Sequence, residues 1–185
     1  MTALAASMRT TVIPEALEWK ERLRDGSIVH IRSIRPGDAA REHAFLARLS
    51  PEDRAYRFIA LIRAPDERVA RGLTCTDPAR EVALVALARG GDREMEIGAA
   101  QYCASKDGSR CDCAVTVDPQ WQRRGVGRLL MWHLINVART RGIRRMYAVD
   151  PVRCAGAHHL AERLGFHSRP DPEDPVVTTF ELILR

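Results

Sequence analysis

No stretch of this chain approaches the roughly 18 consecutive apolar residues that a membrane-spanning helix needs, so a helical membrane protein is excluded. Nor is a secretory leader expected. In the first ten residues the single basic side chain, Arg9, follows the small apolar residues instead of preceding them. Aromatic residues make up only 5% of the chain and the basic residues are scattered. That lacks the stacking platforms and basic stripes of a nucleic-acid reader, and no such motif is present, so nucleic acid is not an expected partner. The cysteines, Cys75, Cys103, Cys111, Cys113 and Cys154, are odd in number. Without a leader they imply free thiols and a reducing cytoplasm. Cys111 and Cys113 flank one residue and would share a face of a strand. The C-x-x-C spacing and histidine partners of a zinc site are absent, so no metal is expected. Nor does any repeat or low-complexity linker mark a domain boundary.

What is present suits one globular domain: 185 residues, 45% hydrophobic and 29% charged. The net charge of +5 is largely arginine and favours an anionic ligand. Residues 1–20 read as an extension, with a helical turn over 14–20 anchored by Trp19, and residues 21–185 as the domain. The pattern predicts a strand over 27–34 and a helix capped by Asp38 running to about Leu49. Ser50, Pro51 and two acids then start a helix carrying Tyr56 and Phe58, and Pro65 starts a third ending near Leu73. Strands follow over 81–88 and 95–105, joined by the turn at Gly90, Gly91 and Asp92. After the strand at 111–117 and a long helix come a strand over 143–149, a helix over 154–164 capped by Gly165, a proline-rich turn over 171–175 and a strand over 176–184. The layout is α/β.

The chain centres on residues 111–141. A β-prone apolar run at 111–117 leads into Gln122-Arg123-Arg124-Gly125-Val126-Gly127. Val126, Leu130, Leu134 and Val137 then recur at helical spacing, and Gly142 stands where a C-cap glycine belongs. A strand, a glycine turn and a helix start make an anion site, because first-turn N–H groups lack internal partners and the helix dipole is positive there. Glycine lets a ligand approach the backbone, and Arg123, Arg124 and Arg128 add charge. A pyrophosphate suits this turn. No lysine follows Gly127, which excludes a Walker loop, and Leu130 stands where a dinucleotide fingerprint needs its third glycine.

Q-x-x-G-x-G after a strand resembles the acyl-CoA pyrophosphate loop of the GNAT N-acetyltransferases, and the element order resembles theirs along nearly the whole chain. Residues 23–38, 48–58, 73–86 and 169–175 resemble the acetyltransferase domain of bacterial protein lysine acetyltransferases, which act on acyl-CoA synthetases. The resemblance implies the GNAT fold, a mixed, mostly antiparallel central sheet flanked by helices. It implies acetyl-CoA as co-substrate and a protein lysine as acceptor, possible oligomerisation, and no membrane. Some relatives join this domain to a nucleotide-binding region or a cyclic-nucleotide sensor; 185 residues hold neither, so their regulation is not expected.

The resemblance also assigns residues. The edge of Val115, Thr116 and Val117 would pair with pantetheine amides as an added strand does, with one amide, that of Val115, at the thioester carbonyl. The amides of Arg123, Arg124, Gly125, Val126, Gly127 and Arg128 would hold the pyrophosphate, with Gln122 ordering the turn. The family's basic glutamate, ten residues before the loop glutamine, falls at Asp112, one methylene shorter. A lysine amine, with a reference pKa of about 10.4, arrives protonated and needs a base. Asp112 is a base acting through a water, a substrate-positioning group, or a plain surface aspartate. The family's cofactor-contacting asparagine falls at Cys154, its thiolate-protonating tyrosine at Ala161, and its second strand glutamate at Val149. His158 or His159 is a proton relay or a packed or solvated histidine. Besides protein lysine acetylation, two other functions stay open: acetylation of a small amine, and acyl-CoA binding with little catalysis.

Overall fold

The computed structural model describes residues 17–51, 53, 77–91, 93–151, 155–170 and 177–185. The helices expected beyond Asp53, the turn over 171–175, and Cys75 and Cys154 lie outside the described residues.

Strands β1 (Glu18–Arg22) and β2 (Ile28–Ser33) form a hairpin, followed by a 3-10 turn (Pro36–Asp38) and helix α1 (Ala39–Arg48). Strands β3 (Glu81–Gly90), β4 (Arg93–Ala104) and β5 (Arg110–Val117) form a meander. A 3-10 turn (Pro119–Trp121) leads to α2 (Val126–Thr140), then β6 (Arg145–Pro151), α3 (Ala155–Arg163), β7 (His167–Pro170) and β8 (Val177–Ile183). Together they make one eight-stranded sheet, ordered β1-β2-β3-β4-β5-β6-β8-β7. Every neighbouring pair is antiparallel except β5 and β6. This is the GNAT fold, a mixed and mostly antiparallel sheet flanked by helices.

Two cores sandwich the sheet. Strand β3 is apolar almost throughout because it feeds both. Val82, Leu84, Ala86 and Ala88 meet Val126, Leu130, Leu134, Val137 and Ala138 of α2 on one face. Ala83, Val85 and Leu87 meet Phe45, Leu46 and Leu49 from α1 on the other. Fully burying a leucine such as Leu130 or Leu134 contributes about 1.5–3 kcal/mol. Gly98 of β4 lets α2 come close: a Cβ there would lie 3.0 Å from the Thr116 carbonyl oxygen and 3.1 Å from Leu130 Cδ1. Helix α2 ends in the expected glycine, Gly142 at φ +79°, and α3 in Gly165 at φ +86°. The Phe166 N–H reaches back to the Ala161 carbonyl at 3.0 Å, and its ring is buried.

Two expectations are corrected, and one strand had no counterpart in the sequence reading. Residues 18–20 belong to a strand, not a helical turn, because Glu18–Arg22 pairs along its length with β2. Trp19 still anchors the segment, stacking on buried His133 of α2 at 4.1 Å, while Glu21 bonds the same imidazole at 2.9 Å. Asp38 precedes α1 but caps no helical N–H. Its carboxylate takes both Nη atoms of Arg32 at 2.7 Å, the Arg35 N–H at 2.8 Å, and Arg41. Burial alone would raise the Asp38 pKa; the Arg32 and Arg35 bonds outweigh it and hold the pKa low. Strand β7 was unexpected, since its four residues carry no β-prone run. The Ser50 cap is present: its hydroxyl accepts the Asp53 N–H at 3.0 Å.

Candidate active site

The central ladder opens in mid-strand. On one side β5 pairs with β4 from Cys111 to Val117. On the other it pairs with β6 at only three positions, the last being Asp112 with Tyr147. From Ala148 onward β6 continues with β8, and residues 113–117 have no strand partner on that side among the described residues. Backbone groups of Val115 and its neighbours that face away from β4 are therefore free to pair with an extended ligand.

The loop after β5 is held from several directions. Asp118 is buried. Its N–H bonds the Ile97 carbonyl at 3.0 Å and its carboxylate accepts the Gln120 N–H at 3.0 Å. Arg48 of α1 donates to the same carboxylate at 2.7 Å and to the Glu96 carbonyl at 2.5 Å. Gln122 Nε2 donates to the Val117 carbonyl and to Asp53, each at 3.3 Å, so this side chain orders the turn. Arg123 at φ +58° and Gly125 at φ +101° bend the backbone into α2. Gly125 occupies the N-cap position, and no side chain caps the helix among the described residues. The first-turn amides of Val126, Gly127 and Arg128 are thus open to an anion, and a Cβ at Gly125 would meet nothing within 4 Å. Gly127 serves packing: a Cβ there would lie 3.3 Å from Leu160 and 3.4 Å from Val117. Arg123 and Arg128 are exposed. Arg124 is engaged elsewhere, stacked 4.0 Å over Trp121 and bonded to Asp25 at 2.8 Å and Ser27 at 3.2 Å.

Asp112 is exposed and faces away from α2. It pairs with Cys103 on β4 and with Tyr147 on β6, which pairs with Glu181 on β8, so these residues form one row across one face. Asp112, Ser105, Arg110, Tyr147, Val149 and Thr179 line a cavity of about 370 Å³. The Tyr147 hydroxyl donates to Glu181 Oε1 at 3.1 Å, and Arg145 donates to the same oxygen at 3.1 Å. Thr116 faces the α1 core, where its hydroxyl is buried without a hydrogen-bond partner among the described residues, and its backbone faces Ala99 of β4, in phase with the Asp118 N–H bond to Ile97.

Cys111 and Cys113 share the opposite face and pack in the α2 core. Burial pushes the Cys111 thiol up to about 12 and the Cys113 thiol higher than its ordinary value. His158 packs edge-on against Phe180 at 4.8 Å and His159 is exposed, so neither joins the row containing Asp112. Ala161 packs against the α2 core. Val149, by contrast, is 51% exposed and lines the cavity.

Residues 97–166 match the Acetyltransferase (GNAT) family. A Pseudomonas aeruginosa protein named acetyltransferase PA5475 is 36% identical over 170 residues, spanning 92% of this chain and 91% of that protein. The chain belongs to the GNAT acetyltransferase family. The GNAT domain of S. lividans PAT superposes with a TM-score of 0.80 at 27% identity, covering 90% of this acetyltransferase and 97% of that domain. The ribosomal-protein-S18-alanine N-acetyltransferase of Escherichia coli shares the fold, with a TM-score of 0.61 at 20% identity over 84% of this chain and 94% of that one. Around this GNAT site, Asp25, Arg48, Tyr147 and Glu181 had no role in the sequence reading. Asp25 and Asp118 left only local turn signals, as Asp-Gly and Asp-Pro.

Proposed function

We propose that this acetyltransferase transfers the acetyl group of acetyl-CoA to a lysine amine of a protein, with an acyl-CoA synthetase as the candidate acceptor. The observation that carries the reading is the ladder broken at Asp112, which sets an open backbone edge and a carboxylate on the same strand. The ligand's chemistry fits these residues. The edge around Val115 suits the pantetheine amides, and the uncapped turn of Gly125, Val126, Gly127 and Arg128 suits the pyrophosphate. Acetyl-CoA supplies an activated thioester carbonyl.

This chain's residues do the rest. Asp112 takes a proton from the incoming ammonium, directly or through a water, freeing the nitrogen lone pair. A backbone N–H on the open edge, that of Val115, donates to the carbonyl oxygen as negative charge develops there. Gln122 keeps the loop in register through Val117. The family's tyrosine has no counterpart at Ala161, so the leaving sulfur takes its proton from solvent. Among the lining residues of the cavity beside Asp112, Asp112 is the one carboxylate, which favours a protein lysine over a polyamine.

The test is incubation with acetyl-CoA and a purified acyl-CoA synthetase, read by mass spectrometry for acetyl-lysine, beside Asp112→Asn. Transfer by the native protein and its loss in the variant support the acceptor and the base together. Transfer surviving in the variant removes Asp112 from proton transfer. Acetyl-CoA binding without transfer to any amine leaves an acyl-CoA-binding module.

A further inference from the structure

We infer that the open sheet face beside Asp112 docks an acidic segment of a protein acceptor, Arg110 and Arg144 receiving a carboxylate close to the acceptor amine. The inference rests on the lysine acetylation proposed above and adds the sequence around that lysine.

Register places the parts. Arg110, Arg145 and Ile183 are mutual strand partners and form one row across β5, β6 and β8. Asp112, Tyr147 and Glu181 form another row two residues further along. Arg110 and Asp112 therefore share a face, about 7 Å apart along the strand. Beyond the Asp112 cavity lies a larger one of about 700 Å³, lined by Arg110, Arg144, Arg145, Tyr147, Asp107 and Ile183 among others. Arg110 and Tyr147 line both cavities, so the two adjoin.

The charges in the larger cavity are unequally committed. Asp107 is bound within its own turn by the Ser105 hydroxyl at 2.6 Å and by the Ser109 N–H and hydroxyl at 3.1 and 2.8 Å. Those bonds hold its pKa well below the ordinary carboxylate value, with Arg110 nearby adding a smaller push. Arg145 is taken by Glu181. Arg110 and Arg144 form no ion pair or side-chain hydrogen bond among the described residues, which leaves two guanidinium groups for a ligand. A guanidinium pairs with a carboxylate through two parallel bonds, so it reads an acid better than a neutral group. Val149 and Ile183, 51% and 53% exposed, add apolar area on the same face. A polypeptide supplies apolar contact and a carboxylate together. An extended one advances about 3.3 Å per residue, which puts the acid one or two positions from the acceptor lysine.

The experiment uses the full chain, acetyl-CoA and three synthetic peptides. Each has one lysine, flanked at the two positions on either side by glutamate, glutamine or arginine. The glutamate peptide is expected to show kcat/KM about tenfold above the arginine-flanked one, through KM, with the gap shrinking in about 0.5 M salt. Combining Arg110→Glu with Arg144→Glu is expected to reverse the order and leave the Kd for acetyl-CoA unchanged. Equal kcat/KM for the three peptides, or a preference surviving the double substitution, overturns the inference and leaves lysine acetylation standing. If no peptide is acetylated, the lysine reading falls. Fluorescence anisotropy of the labelled glutamate peptide then decides the docking face alone: binding lost in the double variant supports it, and no binding to the native chain overturns it.

Discussion

Arg124 Nε donates to Asp25 Oδ2 at 2.8 Å, joining residues 99 positions apart and tying the loop before α2 to the β1–β2 turn. Trp121 holds the other side of the same guanidinium. The loop is braced without using Arg124 as a ligand for the anion.

Asp25→Asn should therefore weaken acetyl-CoA binding although Asp25 lies outside the proposed site. An exposed pair is modest, so the expected rise in Kd is about two- to fivefold by isothermal titration calorimetry. The Ser27 N–H and Arg124 lower the Asp25 pKa from 3.8 to about 2. Because the folded value is depressed, the brace is complete above about pH 4 and is lost as pH falls through about 2.

Gly125→Asp should abolish acetyl-CoA binding while leaving a folded protein. At φ +101° any side chain is strained, and a carboxylate there repels an anion from the uncapped helix start. Gly125→Ala separates the two effects, since it carries the strain alone; its Kd should rise by less. An unchanged Kd in the aspartate variant would remove this loop from the binding site.

Asp118→Ala should destabilise the fold by about 2–3 kcal/mol, measured by urea unfolding, because it strands the Arg48 charge and frees the Gln120 N–H. Arg48→Ala should act on the same pair, so the double variant should cost less than the sum of the two singles. Additive costs would mean that α1 and the loop are not coupled through this contact.

Thr116→Val is expected to raise stability by about 1 kcal/mol. The replacement keeps the side-chain shape and removes a buried hydroxyl that has no partner. A loss of stability on urea unfolding would show that the hydroxyl is satisfied in solution.

The stretch from Cys111 to Gly142 was legible because its signals are local: a β-prone run, glycine in a left-handed turn, and apolar residues at helical spacing. Strand β1 was not. Its five residues become a strand only by pairing with β2, and Trp19 points toward a histidine far along the chain. Asp38 looked like a cap because helix starts favour aspartate, yet buried Arg32 competes for the same carboxylate and wins it. The row of Asp112, Tyr147 and Glu181 depends on strand register across three strands, which no short window of sequence contains. Asp112 itself was reached by counting back from Gln122. Its neighbours needed the sheet.

The ladder that stops after three pairs has a consequence for solubility. Unpaired strand edges recruit other sheets, and proteins blunt them by keeping outer strands short. The outer strands here, β1 and β7, have five and four residues. The edge along residues 113–117 is different, since it lies inside the sheet with β6 and β8 beyond it. A single extended chain can enter that gap and a second sheet cannot, so the backbone stays exposed to a narrow ligand without becoming a template for aggregation.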